Sequence, residues 1–244
     1  MKRFLLPIVG LAATLASCGV GEREAQPGPI VAVVERDQSM DWQVSYPRLT
    51  ARSRSVGVVL DPVLAKLNDD IKSRVKLFTD SATQMACAKA AAECDNLAFP
   101  PNARWTLDYS VRSLQYRNIA VVLIGGYEDT LGNHPMDTSF SAAFNLRTGQ
   151  AIVLDEVIDR RDLEMIAPIA SEAVEAVAGP ESVDSEWINE GVRDLANYAT
   201  WWPSNEGLHV VFAAYSVVPW AAGTPEIVLP WRTFDPRDAA VLGG

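Results

Sequence analysis

IAVVLIGGYEDTLGNHPMDTSFSAAFNLRTGQAIVLDEV, residues Ile119 to Val157, holds three strand-like segments, two turn signals and one polar loop. Ile119 to Ile124 is a continuous apolar run of strand length. Ser139 to Leu146 alternates instead. Phe140, Ala142, Phe144 and Leu146 fall on one face and Ser139, Ser141 and Asn145 on the other, as in a half-buried antiparallel strand. Arg147-Thr148-Gly149 supplies a turn in which glycine takes positive φ without steric cost, and Ala151 to Leu154 returns as the partner strand. The stretch therefore predicts a hairpin at the centre of an antiparallel sheet, reached through a polar loop from Tyr127 to Asp137.

Outward from this centre, Trp42, Val44 and Tyr46 alternate within Asp41 to Leu49 and predict a first strand, with Pro47 suited to an edge position. Asp61-Pro62 reads as a helix start, a capping carboxylate followed by a proline whose missing N–H the first turn does not need. Leu64, Leu67, Ile71, Val75 and Phe78 then form one apolar stripe, and a second helical segment is expected through Thr83 to Ala92. Trp105, Leu107, Tyr109 and Val111 alternate with polar residues and predict a strand with one wet face. Downstream, Asp159 to Asp162 opens a helix carrying Leu163, Ile166, Ala170, Val174 and Val177 on one face, bent at Pro168 and ended by Gly179-Pro180. Ser185 is placed to cap a further helix with Ile188, Val192, Leu195 and Tyr198 as its stripe, and strands are expected at Leu208 to Val218 and Ile227 to Leu229. The fold class that follows is α+β: an antiparallel sheet with helices packed mainly on one face. Its two interleaved halves, residues 40–125 and 126–244, meet near Gly125.

At 244 residues, 48% hydrophobic and 21% charged, the chain has a globular composition and fits one large domain or two intimate subdomains. Residues 1–17, MKRFLLPIVGLAATLAS, join a basic start at Lys2 and Arg3 to a short apolar core, and read as a signal peptide. Leu15-Ala16-Ser17-Cys18 resembles the bacterial lipobox, in which the cysteine is acylated. The alternative is an ordinary secretion signal with a chance cysteine. Residues 18–39, rich in Gly, Pro, Glu and Gln, read as a flexible tether to a domain that begins near Met40. Such a protein touches the membrane through its lipid only. Gly19 stands where inner-membrane lipoproteins of enterobacteria carry aspartate. The expected location is therefore the cell envelope, facing the periplasm, with the outer membrane favoured over the inner.

Loss of the leader leaves 19 basic against 31 acidic side chains, a balance of −12. That charge disfavours nucleic acid and favours basic partners, or else serves solubility alone. Cys87 and Cys94 are seven residues apart and, in an oxidising compartment, are expected to form a disulfide; two separate thiols are the alternative. Two turns of unbroken helix would hold their Cα atoms about 10 Å apart, beyond the bridging limit of about 7 Å, so a helix there must end between them.

The chain has two histidines, His134 and His209, and no G-x-S-x-G, H-E-x-x-H or glycine-rich phosphate motif. No catalytic residue, metal site or cofactor is assigned, and a non-enzymatic function is expected. His209 sits in an alternating strand and reads as structural. Tyr127, Glu128, Asp129, His134 and Asp137 are the candidate binding residues, a contact surface for a partner; a solvated loop is one alternative, and a cation site or acid–base pair, which needs carboxylates and imidazole, is the other. The Trp201-Trp202-Pro203 cluster either stacks on sugar rings or covers the edge of the core.

N-L-x-T-G-x-x-x-x-L-D-E-V after the loop, and LHVVFAAYSVVPWAAGTPEIVLP from Leu208 to Pro230, resemble a family of extracellular domains of largely unassigned function. That family includes the sensing domain of the lysozyme-responsive anti-sigma factor RsiV and a module beside a peptidoglycan deacetylase catalytic domain. The resemblance runs from about Asp41 to Phe234. It departs in the loop, where relatives carry T-G-G-A-H and this chain has Thr130-Leu131-Gly132-Asn133-His134-Pro135. What it implies is a module that binds a basic lysozyme-like protein or peptidoglycan. An accessory role in cell-wall synthesis or turnover, or an unrecognised hydrolase, is the alternative. Only 17 residues precede Cys18, so no sigma-binding segment of the RsiV kind is expected. The sequence sets no oligomeric state.

Overall fold

The computed structural model describes residues 30–37, 42–51, 54–90, 104–116, 119–129, 135–158, 160–179 and 184–234. Cys18, Cys94 and His134 lie outside the described residues, as do the leader and the first part of the tether.

Six strands form the larger sheet in sequence order: β1 (Ile30–Asp37), β2 (Trp42–Ala51), β3 (Arg104–Tyr116), β4 (Ile119–Asp129), β5 (Met136–Asn145) and β6 (Gln150–Ile152). All neighbours are antiparallel except β2 and β3, which run parallel over Trp42 to Val44. The class is α+β, as the pattern predicts. The sheet nevertheless begins earlier than Met40, because the apolar Ile30 to Val34, inside the expected tether, opens strand β1. With β1 on its flank, β2 is not an edge strand. Pro47 falls past the end of the β2–β3 ladder, where only one side of the strand is paired and a missing N–H is tolerated.

The centre of the sheet is the predicted hairpin. Asn145 Oδ1 accepts from the N–H groups of Arg147 (2.9 Å) and Thr148 (3.3 Å), and Gly149, at φ +66°, donates to the Asn145 carbonyl at 2.8 Å. A Cβ at Gly149 would lie 3.3 Å from Val63 Cγ1, so the turn is also pressed against the long helix.

Helix α1 (Arg54–Ala90) covers one face of this sheet, in keeping with helices packed mainly on one face, and a second sheet lies against the other. Alternate residues of β4 explain it. Ala120, Val122 and Ile124 pack with Leu64, Leu67, Ile71 and Val75 of α1. Ile119, Val121 and Leu123 pack with α2 (Arg160–Ala178), α3 (Ser185–Gly191) and the second sheet. A strand buried on both sides reads as a continuous apolar run, and Ile119 to Ile124 is one. Helix α1 starts well before Asp61 and carries Pro62 inside it, so Asp61-Pro62 is not the start. The proline removes one backbone bond, which a 37-residue helix docked by an apolar stripe withstands. It also continues through the segment expected as a separate helix.

The second sheet has the order β7 (Thr200–Pro203), β8 (Gly207–Val211), β9 (Glu226–Pro230), all antiparallel. Asp184, not Ser185, caps α3 by accepting from Glu186 and Trp187 N–H. That helix stops at Gly191, and the stripe continues in a separate 3₁₀ turn, Leu195–Tyr198, capped by Asp194. Helix α2 matches its expected span, with Pro168 inside it and Gly179 at φ +80° just beyond.

The two sheets meet through the polar face of β5 that alternation leaves for water. Ser141 N–H donates to the Ala199 carbonyl (3.0 Å), and Ser141 Oγ donates to the Trp201 carbonyl and accepts from its N–H (2.5 and 2.6 Å). Ser139 Oγ lies 2.9 Å from Thr200 Oγ1. The polar face is not wet; it is a hydrogen-bonded seam.

Candidate functional site

The expected contact loop is shorter than Tyr127 to Asp137, because strand pairing claims both of its ends. Tyr127 pairs with Asp137 and Glu128 with Met136, so β4 runs to Asp129 and β5 begins at Met136. The ladder brings Tyr127, Glu128, Asp129 and Asp137 to one end of the larger sheet, beside the connection that contains His134. Tyr127 is half-buried and Asp137 exposed. Neighbouring atoms still withdraw enough water from Asp137 to raise its pKa above the ordinary carboxylate value. Among the described residues, no group of three or more His, Cys, Asp or Glu side chains is close enough to hold a metal ion.

The tryptophan pair is not a sugar platform. Trp201 and Trp202 are 3% and 6% exposed, and both belong to the buried core. Cys87 lies on α1, which ends at Ala90, ahead of Cys94.

His209, read as structural, is held by three neighbours. On β8 it pairs with Trp202 of β7, and the two rings stack with centroids 4.8 Å apart and planes 14° from parallel. Its Nε2 is 3.0 Å from Ser204 Oγ and its Nδ1 is 3.3 Å from Glu226 Oε1. Its side chain is 17% exposed and that of Glu226 48%. Ser204 sits in the β7–β8 turn, where its Oγ accepts from Glu206 N–H (3.0 Å) and Gly207 N–H (3.4 Å). Its carbonyl accepts from Trp231 Nε1 at 2.7 Å. Gly207 has no room for a side chain: a Cβ there would be 2.1 Å from the Leu229 carbonyl oxygen.

The connection from β8 to β9 sets Glu226 beside His209. Tyr215, at φ +68°, donates its N–H to the Val218 carbonyl, and Phe212 donates to Pro225. The loop packs so closely on α3 that a Cβ at Gly191 would lie 2.2 Å from the Ser216 oxygen. Ser204 and Glu226 were not singled out from the sequence, because no fixed spacing links a turn serine to a carboxylate on the next strand but one. The available signal was alternation. His209 shares its face of the sheet with Glu226, two positions along the adjacent strand from its partner Val228.

The molecule is thus a two-sheet α+β domain with one carboxylate-bearing sheet end and one hydroxyl–imidazole–carboxylate cluster. Residues 155–232 match the family described as a protein of unknown function, DUF3298. No curated protein matches the chain. A crystal structure of a DUF3298 family protein from Pseudomonas aeruginosa PAO1 is similar, with a TM-score of 0.55 and 15% identity over 87% of this chain and 97% of that one. A DUF3298 family member from Bacteroides fragilis NCTC 9343 gives a TM-score of 0.49 and 14% identity over 83% and 89%. At such identities the likeness to the first concerns the fold alone.

Proposed function

We propose that this chain is a cell-envelope lipoprotein that acts by binding, with a lysozyme-like protein or peptidoglycan as partner and the β4–β5 end as contact. The observation that carries the reading is the ladder pairing Tyr127 with Asp137, which gathers an aromatic and three carboxylate residues at one sheet end. Support also comes from the resemblance of Tyr127 to Val157 and Leu208 to Pro230 to the family that includes the RsiV sensing domain. The anchor is the lipid on Cys18, in the outer membrane and facing the periplasm, and Cys87 and Cys94 are bridged there. Metabolic labelling with a clickable fatty acid is expected to mark the wild type and to be lost in Cys18→Ala; label that persists in the variant removes the anchor.

Binding is tested by calorimetry of the folded domain with c-type lysozyme and by sedimentation with purified peptidoglycan. At least one interaction is expected, weakened tenfold or more by joint replacement of Glu128, Asp129 and Asp137 with Ala, a loss of about 1.4 kcal/mol. Absence of binding to both at micromolar concentration in low salt ends the reading.

A further inference from the structure

The cluster around His209 on the second sheet has a defined hydrogen-bond direction. Ser204 Oγ already accepts two backbone N–H groups, so its own proton is what remains to be donated. The acceptors in reach are His209 Nε2 at 3.0 Å and the Gly207 carbonyl at 3.3 Å. A carboxylate facing Nδ1 favours the tautomer protonated there, and that leaves Nε2 with its lone pair toward the hydroxyl. Stacking on Trp202 fixes the plane of the ring. Hydroxyl, imidazole and carboxylate therefore stand in the order, and with the polarity, that nucleophilic acyl transfer requires.

We propose that Ser204, His209 and Glu226 form a hydrolytic site for small carboxylic esters, an activity that goes beyond the binding proposed above and departs from the non-enzymatic expectation. Ser204 Oγ adds to the ester carbonyl carbon while its proton passes to His209 Nε2. The bond to the alcohol oxygen then breaks, and the alcohol leaves with that proton, so that the acyl group stays on Ser204. Water gives a proton to His209 and adds to the acyl carbon; the carboxylic acid departs and Ser204 Oγ recovers its proton. Glu226 holds the imidazole tautomer and offsets the imidazolium charge. In the tetrahedral adduct Oγ is an ether-like oxygen and a poorer acceptor, which frees the Glu206 and Gly207 N–H groups for the oxyanion on the same carbon. An ester is the fitting class because an alkoxide leaves more readily than an amine anion.

The test uses a fluorophosphonate probe, with the labelled residue mapped by mass spectrometry, and hydrolysis of p-nitrophenyl acetate by the full chain. Label is expected on Ser204. Turnover is expected to fall about 10²-fold or more in Ser204→Ala and His209→Gln and at least about tenfold in Glu226→Gln. Ser204→Cys retains a nucleophile in the turn and answers the possibility that Ser204→Ala fails to fold. The thiol of that variant is expected to react more slowly with iodoacetamide when His209→Gln is added. Folded wild type that carries no label on Ser204, wild-type turnover equal to that of Ser204→Ala, or alkylation of the Ser204→Cys variant at a rate indifferent to His209→Gln overturns the proposal.

Discussion

Ser141 Oγ joins two sheets with a single hydroxyl. It satisfies both the N–H and the C=O of Trp201 in a buried seam, so its loss leaves two backbone groups without partners and without water. Ser141→Ala is expected to destabilise the domain by about 1–3 kcal/mol, read from the midpoint of chemical denaturation. A change of less than about 0.5 kcal/mol would mean that water replaces the hydroxyl. Tyr198 makes a second buried anchor. Its Oη donates to the Val192 carbonyl at 2.7 Å, and its ring meets Phe212 edge-on at 5.0 Å. Burial raises its pKa above the ordinary tyrosine value, because the phenolate would lose its hydration. The unfolded chain ionises this group near pH 10 while the folded chain keeps the proton, so stability present below about pH 10 is lost as pH rises toward the folded value. Thermal melts above pH 10 are expected to fall more steeply for the wild type than for Tyr198→Phe.

Helix α1 completes β2 by standing in for a strand. Where the β2–β3 ladder has ended, Asn68 Oδ1 accepts from Leu49 N–H (2.7 Å) and Asn68 Nδ2 donates to the Leu49 carbonyl (2.9 Å), as a strand neighbour would. Asn68→Ala is expected to cost about 1–3 kcal/mol in denaturant melts, and Asn68→Asp a similar amount because it keeps the acceptor but loses the donor. Elements of this kind mark the limit of what the sequence disclosed. The stripe Leu64, Leu67, Ile71, Val75, the turn at Gly149 and the span of α2 were legible because local periodicity and turn chemistry set them. The start of α1, the strand within the tether and the dry face of β5 were not, because each depends on what packs opposite. Ser139 and Ser141 carry a polar pattern whether they meet water or a second backbone. The candidate contact residues were legible as a polar stretch, yet their gathering at a sheet end depends on the β4–β5 register. The cluster at His209 needed the register of three strands, which alternation alone does not supply.

At the scale of the whole molecule, charge is the property that reaches furthest. The chain carries a formal charge of −10, or −12 once residues 1–17 are removed. A net field of that sign steers cationic partners toward the domain and raises their association rate, and salt screens it over a Debye length of about 8 Å at physiological ionic strength. For a basic lysozyme-like partner at the β4–β5 end, the association rate is expected to fall about tenfold or more between 10 and 150 mM salt, while dissociation changes little. Asp137 adds a second dependence. Its raised pKa means that mild acid neutralises it ahead of an ordinary aspartate, so binding is expected to weaken as pH drops, and less so in Asp137→Asn. Stopped-flow or surface-based kinetics across salt and pH separate the two effects. An association rate indifferent to salt would remove electrostatic steering, and binding that strengthens in acid would remove Asp137 from the contact.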